Sequence, residues 1–344
     1  EGPPILSPAA AEKLDEPLFA HDPRVGAMLH GLYEMRREPI RAIGHGGDTF
    51  LFHTLMMLVP QRRLGVFVSY NSDDGSGGRG PLLAAFLDRY FDAAERPGEP
   101  PEGFVQRSGP YVGEYRANRF AHTTLAKLGA IASTSKVTVS DDGELLAFGS
   151  RFIETAPRVF TEWDGGSTLV FVEGKDGRMS HFYNAQYPIV TMERVPPLER
   201  RGLHLPLFVL ACVAFVGTVL VGPAGWAVRK WFGVDTSGRA RIPRTDRLAL
   251  WAAAALLVAL VIGLLTVVAD ATNIAFGELG SVKAILVLPL IAIAPALFAV
   301  LATVKLWRRR LGTRTGRLAY TLTVVLMLTF YWQLSVWNVL GFQL

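Results

Sequence analysis

The sequence has little cysteine and little charge. Its single cysteine, Cys212, excludes an intramolecular disulfide framework and any zinc or iron–sulfur centre built from several cysteines. Charged residues make up 19% of the chain and hydrophobic residues 50%, whereas globular domains carry about 25% charged residues. The composition is therefore too apolar for an ordinary soluble protein and indicates a membrane-embedded part.

The scarcity of acidic residues is confined to the second half of the chain. Residues 1–200 contain 21 Lys and Arg against 26 Asp and Glu, while residues 201–344 contain 14 against 4. The net charge of +5 is therefore a balance between an acidic first part and a basic second part. Because the basic excess follows the apolar part of the chain, it does not indicate a nucleic-acid partner.

Four apolar runs in the second half contain no Asp, Glu, Lys or Arg. They are 21 to 24 residues long, and a helix needs about 20 residues to cross the hydrocarbon core. The sequence therefore predicts a membrane domain at 203–344, and the absence of ionisable residues within the runs favours anchoring over transport. The four predicted transmembrane helices are 205–228, 248–269, 284–304 and 318–340.

The loops between these runs predict the orientation in the cell membrane. Loops 229–247 and 305–317 each contain six Lys and Arg residues, whereas the loop at 270–283 contains one. Basic loops are retained on the cytoplasmic side. We therefore expect loops 229–247 and 305–317 to be cytoplasmic and residues 1–200 to be extracytoplasmic.

Residues 110–196 carry the pattern of a small all-β domain, preceded by a Pro/Gly-rich linker at 96–109. Apolar and polar residues alternate on both sides of three Asp-Gly pairs, at 142–143, 164–165 and 176–177. Asp-Gly between alternating runs is typical of antiparallel hairpins. The pattern predicts an antiparallel barrel or sandwich, and it leaves 119–134 open between helix and strand.

Residues 42–71 predict a strand that ends in a glycine pair, followed by a hairpin. The hairpin strands are 50–59 and 64–71, joined by a turn at 60–63, and an amphipathic helix follows at 81–94. The intervening glycine-rich stretch at 75–80 matches G-x-G-x-x-G. A dinucleotide site needs an acidic residue about 20 residues further on, and this sequence has a Pro/Gly-rich stretch there. A surface loop is favoured, and no cofactor is expected.

An ordered set of short motifs in residues 1–95 resembles the serine β-lactamase and penicillin-binding-protein-like hydrolases, of the class C β-lactamase and D-aminopeptidase type. The motifs are Ile5-Leu6-Ser7, His21-Asp22-Pro23-Arg24, Gly44-His45-Gly46-Gly47-Asp48-Thr49, Leu58-Val59-Pro60, Leu64-Gly65-Val66 and Tyr70-Asn71-Ser72. The resemblance implies that 1–95 is an α+β C-terminal part of such a hydrolase domain. The opening of the β domain, at 111–115, is similar to the lipocalin-like accessory barrels that follow such domains.

The resemblance also implies a catalytic role for four residues. His45, Gly46 and Gly47 take the place of the family's Lys-Thr-Gly strand motif, and the backbone N–H of Asp48 becomes one of two oxyanion-hole donors. Histidine in place of lysine favours a peptidase or esterase over a β-lactamase. The implied substrate is a small amide or ester, such as a peptidoglycan-like peptide, cleaved through an acyl-enzyme without metal or cofactor.

The nucleophile of this family lies on a Ser-x-x-Lys helix and its partner on a Tyr-x-Asn loop, both before the strand motif. Ser133–Lys136 matches the first pattern but follows the motif and continues into a β pattern, and 69–71 ends a hairpin strand. The sequence begins without a signal peptide. We therefore expect the nucleophile to lie upstream of these 344 residues and this chain alone to be inactive. The alternative is a non-enzymatic, penicillin-binding-like membrane sensor.

Overall fold

The computed structural model describes residues 5–37, 40–49, 51–72, 75–91, 96–164, 166–233, 241–269, 277 and 279–344. These residues form two compact units. The first contains the chain up to Arg119 together with Ser133–Pro196, and the second contains Phe120–Ala132 together with Pro197–Leu344.

The first unit begins with a four-stranded antiparallel sheet in the order β1-β2-β3-β4. The helix α2 packs on one face of this sheet, where Ala42, Met57, Val59 and Leu87 are buried together. The predicted strand and hairpin are present, and a short 3-10 helix forms the turn at Pro60–Arg62. The elements are α1 Pro8–Leu14, β1 Tyr33–Arg37, β2 Ile40–Asp48, β3 His53–Val59, β4 Leu64–Tyr70 and α2 Gly75–Tyr90.

The predicted β domain is a closed barrel of eight antiparallel strands. Of the two predicted alternatives, the barrel is therefore confirmed and the sandwich is not. Each strand pairs with its neighbour in sequence, and β12 pairs with β5 to close the barrel. The turns at Gly143 and Gly177 have positive φ angles of 84° and 74°, as Asp-Gly hairpins require; Gly165 lies outside the described residues. The strands are β5 Gly113–Ala117, β6 Thr134–Val139, β7 Leu145–Ala147, β8 Ser150–Ala156, β9 Val159–Glu162, β10 Thr168–Glu173, β11 Met179–Asn184 and β12 Thr191–Arg194.

Aromatic rings fill the interior of the barrel. Phe171 contacts the rings of Tyr111, Tyr115, Phe160 and Phe182, with centroid distances between 4.7 and 6.0 Å. Such offset and edge-to-face contacts add to the burial of apolar area. The barrel therefore has a packed aromatic core.

The stretch 96–109, predicted as a linker, contributes to this core. Its end forms the short helix α3, Phe104–Arg107, and Phe104 is 1% exposed within the barrel cluster. The Arg107 guanidinium lies over the Phe104 ring and pairs with Glu154 of β8. The linker interpretation is therefore wrong for this half of the stretch, because a single buried aromatic residue fixes it to the barrel.

The second unit contains four helices that are long and apolar enough to cross a membrane, so the chain is a multi-pass membrane protein. Each begins four residues before its predicted span, and the first three contain the whole of the spans 205–228, 248–269 and 284–304. The fourth ends at Val336, so 337–340 of the predicted span 318–340 are not helical. The segments 234–240, 270–276 and 278, with Arg239 and most of the loop at 270–283, lie outside the described residues. The helices are α4 Arg201–Phe232, α5 Arg244–Ala269, α6 Gly280–Arg308 and α7 Arg314–Val336.

The segment 120–132, which the sequence left open between helix and strand, belongs to the helical unit. It contains a 3-10 helix at Leu125–Ile131. The Leu125 N–H donates to the Gln343 carbonyl at 2.6 Å, and the Asn338 side-chain amide donates to the His122 carbonyl at 2.9 Å. This part of the predicted barrel domain is therefore held to the segment that follows α7.

Candidate functional site

The four residues implied by the resemblance form the last four positions of β2. In register with β3, His45 lies opposite Met56 and Asp48 lies opposite His53. The strand passes so close to β3 at Gly44 that a Cβ there would lie 2.0 Å from the Met56 carbonyl oxygen. Glycine at 44 is therefore required by the close approach of two backbones.

Gly44→Ala is expected to destabilise the sheet by about 1–3 kcal/mol, because the Met56 carbonyl belongs to a paired strand and cannot move aside freely. Gly77→Ala is the matched control. A Cβ at Gly77 has no atom within 4 Å, and alanine stabilises a helix relative to glycine by about 0.5–1 kcal/mol. The stability of both variants is measured by urea-dependent hydrogen exchange of β2 and β3 peptides. A loss of stability in the control variant equal to that of Gly44→Ala would contradict the assignment.

The end of β2 extends beyond the described part of β1. Strand β1 begins at Tyr33, opposite Gly44, so residues 45–48 extend beyond it. The Gly46 N–H points to this edge and donates to the Tyr33 hydroxyl at 3.2 Å. Because alternate amides of a strand point to the same side, the Asp48 N–H points to the same edge. Within the described residues, the Asp48 N–H thus lies where β1 no longer covers β2.

The Asp48 carboxylate is held by His53 and Arg79. Its Oδ1 lies 2.6 Å from His53 Nδ1 and 2.8 Å from Arg79 Nη2. The hydrogen bond from His53 lowers the pKa of Asp48, and the bond and charge of Arg79 lower it further. The side chain is therefore ionised at neutral pH and joins β3 to α2.

Arg79 was not identified from the sequence, because it lies in the glycine-rich stretch predicted as a loop. That prediction is wrong: α2 begins at Gly75, six residues before the predicted start at 81, and its predicted end at 92–94 lies outside the described residues. Arg79 donates to the Thr54 carbonyl at 2.8 Å. A Cβ on Gly75 would lie 2.4 Å from the Tyr70 Cβ. The glycines therefore allow the helix to approach Tyr70.

His45 lies on the other face of the sheet from the Asp48 side chain, because side chains alternate along a strand. Its ring is exposed and lies 5.7 Å from that of Tyr33. Its neighbours across this face are Met56 and then Phe67, which is 70% exposed. The structure therefore places His45 and the Asp48 N–H at the same end of β2. The side chains of His45 and Asp48, however, lie on opposite faces of the sheet.

A cleft of about 650 Å³ opens on the α2 side of this strand end, within the first unit. Tyr33, Gly46, Asp48 and Arg79 line one wall. Residues of the barrel line the other, and Met35, Ala42, Met57 and Leu87 form an apolar floor. The polar residues contributed by the barrel are Glu162, Asp164, Gln186 and Tyr187. A small ligand with one apolar and one polar part fits this lining, and no motif indicated it.

The two serine patterns set aside from the sequence lie on strands. β6 begins at Thr134, so Ser133–Lys136 does not form the helix that a Ser-x-x-Lys nucleophile needs, and Ser69 and Tyr70 end β4. Within the described ranges, no group of three or more His, Cys, Asp and Glu side chains is placed to hold a metal ion.

No family model and no curated protein matches this chain. Among solved structures, the chain is similar to SurE with D-Leu at 18% identity and to SurE at 16% identity, each with a TM-score of 0.32. The matches cover 55% of this chain and 44% and 43% of those proteins. The chain thus spans less than half their length, and a likeness this weak supports no statement about fold or activity.

Proposed function

We propose that the protein is a membrane-anchored, extracytoplasmic serine hydrolase of the β-lactamase-related type. The observation that carries the proposal is the uncovered end of β2, where the Asp48 N–H points to an open sheet edge beside two glycines. A rigid strand amide at such an edge can stabilise an oxyanion, and the glycines allow a substrate to approach the backbone. The basic loops after residue 228 support the outward placement of this site.

In this mechanism a serine hydroxyl attacks the carbonyl carbon of an amide or ester. A base takes the hydroxyl proton, and the Asp48 N–H donates to the oxygen as it becomes negative. The C–N or C–O bond then breaks, the leaving group takes the proton, and water releases the acyl group as an acid. A neutral His45 hydrogen-bonds the substrate, and a protonated one attracts its carboxylate, which favours peptidase or esterase chemistry.

We place the nucleophile and its base on Ser-x-x-Lys and Tyr-x-Asn segments upstream of this sequence. The support for this placement is the sheet face that carries His45. Met56 and Leu58 are half-buried there and Phe67 is exposed, so the face offers an apolar surface on which a further segment of the hydrolase domain can pack.

The proposal is tested by covalent labelling of the full-length protein in membranes with a fluorophosphonate. We expect labelling of the wild type, and about 100-fold slower labelling of His45→Ala, the loss typical of removing a group that stabilises the transition state. His30→Ala is the matched control, because His30 is exposed and outside the site. An unlabelled full-length protein, or equal slowing by both variants, would overturn the proposal. The 344 residues alone are expected to stay unlabelled.

A non-enzymatic ligand-binding or sensor function is the second candidate. One observation favours it: the cleft beside Asp48 has an apolar floor and charged walls, while Oδ1 of the Asp48 carboxylate is bound by His53 and Arg79. Reversible binding of a β-lactam or peptide without a mass increase of the intact protein would support this function over hydrolysis.

A further inference from the structure

A second cavity, of about 810 Å³, lies in the helical unit. It is formed where the C-terminal part of α4 meets the N-terminal parts of α5 and α7. This is the end of the bundle that carries the basic loops. The residues that decide its chemistry are Arg229, Arg244, Arg247, Trp226, Trp251 and Tyr320.

The cavity is strongly cationic. Three guanidinium groups line it, on Arg229, Arg244 and Arg247, and its lining includes no carboxylate. Within the part of the chain that the structure describes, none of the three forms an ion pair. The nearby carboxylate of Asp246 is 0% exposed and is bound by Lys305 at 2.5 Å. The three positive charges are therefore available to an anion, and guanidinium matches phosphate geometry.

The same cavity has an apolar, outward-facing side. Val221 is 70% exposed, Leu248 52% and Trp226 59%, and all three line the cavity. The Trp251 indole donates to the Val219 carbonyl at 3.2 Å and holds α5 against α4. Tryptophan is enriched where a membrane helix reaches the headgroup layer. The cavity therefore combines a phosphate-binding end with a surface suited to acyl chains.

We infer that this cavity binds the headgroup of an anionic phospholipid. The phosphate lies among Arg229, Arg244 and Arg247, and the acyl chains follow Val221 and Leu248 into the bilayer. Basic pockets between transmembrane helices bind such headgroups. The shared chemistry is a phosphate ester; the exposed apolar side favours a lipid over a free phosphate, because a soluble ion would leave that side unused.

Native mass spectrometry of the full chain in detergent, with added phosphatidylglycerol or phosphatidylcholine, tests the inference. We expect phosphatidylglycerol to bind at least 10-fold more tightly. Arg244→Gln with Arg247→Gln should remove most of this preference. Arg308→Gln with Arg309→Gln removes the same charge from exposed positions outside the cavity and should change the affinity less than threefold.

Three outcomes would overturn the inference. One is equal binding of the two lipids, and another is an equal loss in the two charge-matched variants. The third is displacement of phosphatidylglycerol by millimolar inorganic phosphate, which would identify a site for a soluble anion. Arg229→Gln removes a charge that α4 contributes to the same cavity. It tests the inference independently if the α5 variant does not fold.

Discussion

Lys305→Met is expected to destabilise the helical unit by about 3–5 kcal/mol, because it leaves a buried carboxylate without its cation. Lys305 on α6 binds Asp246 on α5 at 2.5 Å, and the Asp246 side chain is 0% exposed. Methionine keeps most of the lysine stem, so the loss reports the charge. The reverse change, Asp246→Leu, is expected to cost less, because a third of the Lys305 side chain is exposed and its ammonium can reach water.

The double variant Asp246→Leu with Lys305→Met should recover most of the lost stability, since removing both charges leaves neither one buried alone. Lys283→Met, an exposed lysine on the same helix, is the matched control and should be neutral. Detergent-mediated unfolding followed by tryptophan fluorescence measures the change, because six of the seven tryptophans lie in 197–344. Additive losses in the double variant would contradict the ion-pair assignment.

Arg194→Met is expected to destabilise the barrel by about 3–5 kcal/mol. Arg194 is the last residue of β12 and lies at the seam with β5. Its guanidinium donates to the carbonyls of Met179, Val112 and Pro110 and, at 2.6 Å, to the Tyr115 hydroxyl. Hydrogen bonds that involve a charged group contribute about 1.5–3 kcal/mol each. The total is reduced because the Pro110 carbonyl still accepts from the Met179 N–H.

Arg194→Lys should recover less than half of the loss, because one ammonium cannot reproduce the planar set of donors. Burial raises the pKa of Tyr115 to about 12, so its hydroxyl stays protonated and still donates to the Tyr111 carbonyl at 2.8 Å. Arg178→Met, in an exposed turn of the same barrel, is the control. Hydrogen exchange of β5 and β12 peptides in urea measures the loss. Full retention of stability by the lysine variant would show that charge alone holds the seam.

The sequence predicts the architecture where local signals are strong. Four uncharged runs long enough to span a bilayer predict α4 to α7, and the Asp-Gly pairs at 142 and 176 predict two hairpins of the barrel. It does not predict the turn at Phe148, which has a φ of 54° without an Asp-Gly signal. Hydrophobic periodicity in a sequence indicates which face of a strand is buried. It does not locate a turn whose conformation depends on the surrounding barrel.

The site is predictable only in part. The order of motifs around His45 locates the strand end, but Arg79 was missed because a run of glycines is a poor helix former by propensity. Two contacts outweigh that propensity: the close approach of Gly75 to Tyr70, and the hydrogen bond from Arg79 to Thr54, which lies 25 residues earlier. Lys305 is a second example. The sequence assigns it to a basic loop, but in the structure it binds the buried carboxylate of Asp246, 59 residues away.

The closed barrel and the four-stranded sheet differ in their strand edges. In the barrel every strand has two paired neighbours, whereas in the described part of the sheet β1 and β4 each have one. Unpaired edges can add strands of another molecule, and β4 also presents Phe67 to solvent. If proteolysis separated the barrel from the four-stranded sheet, the barrel would stay monomeric and the sheet would self-associate.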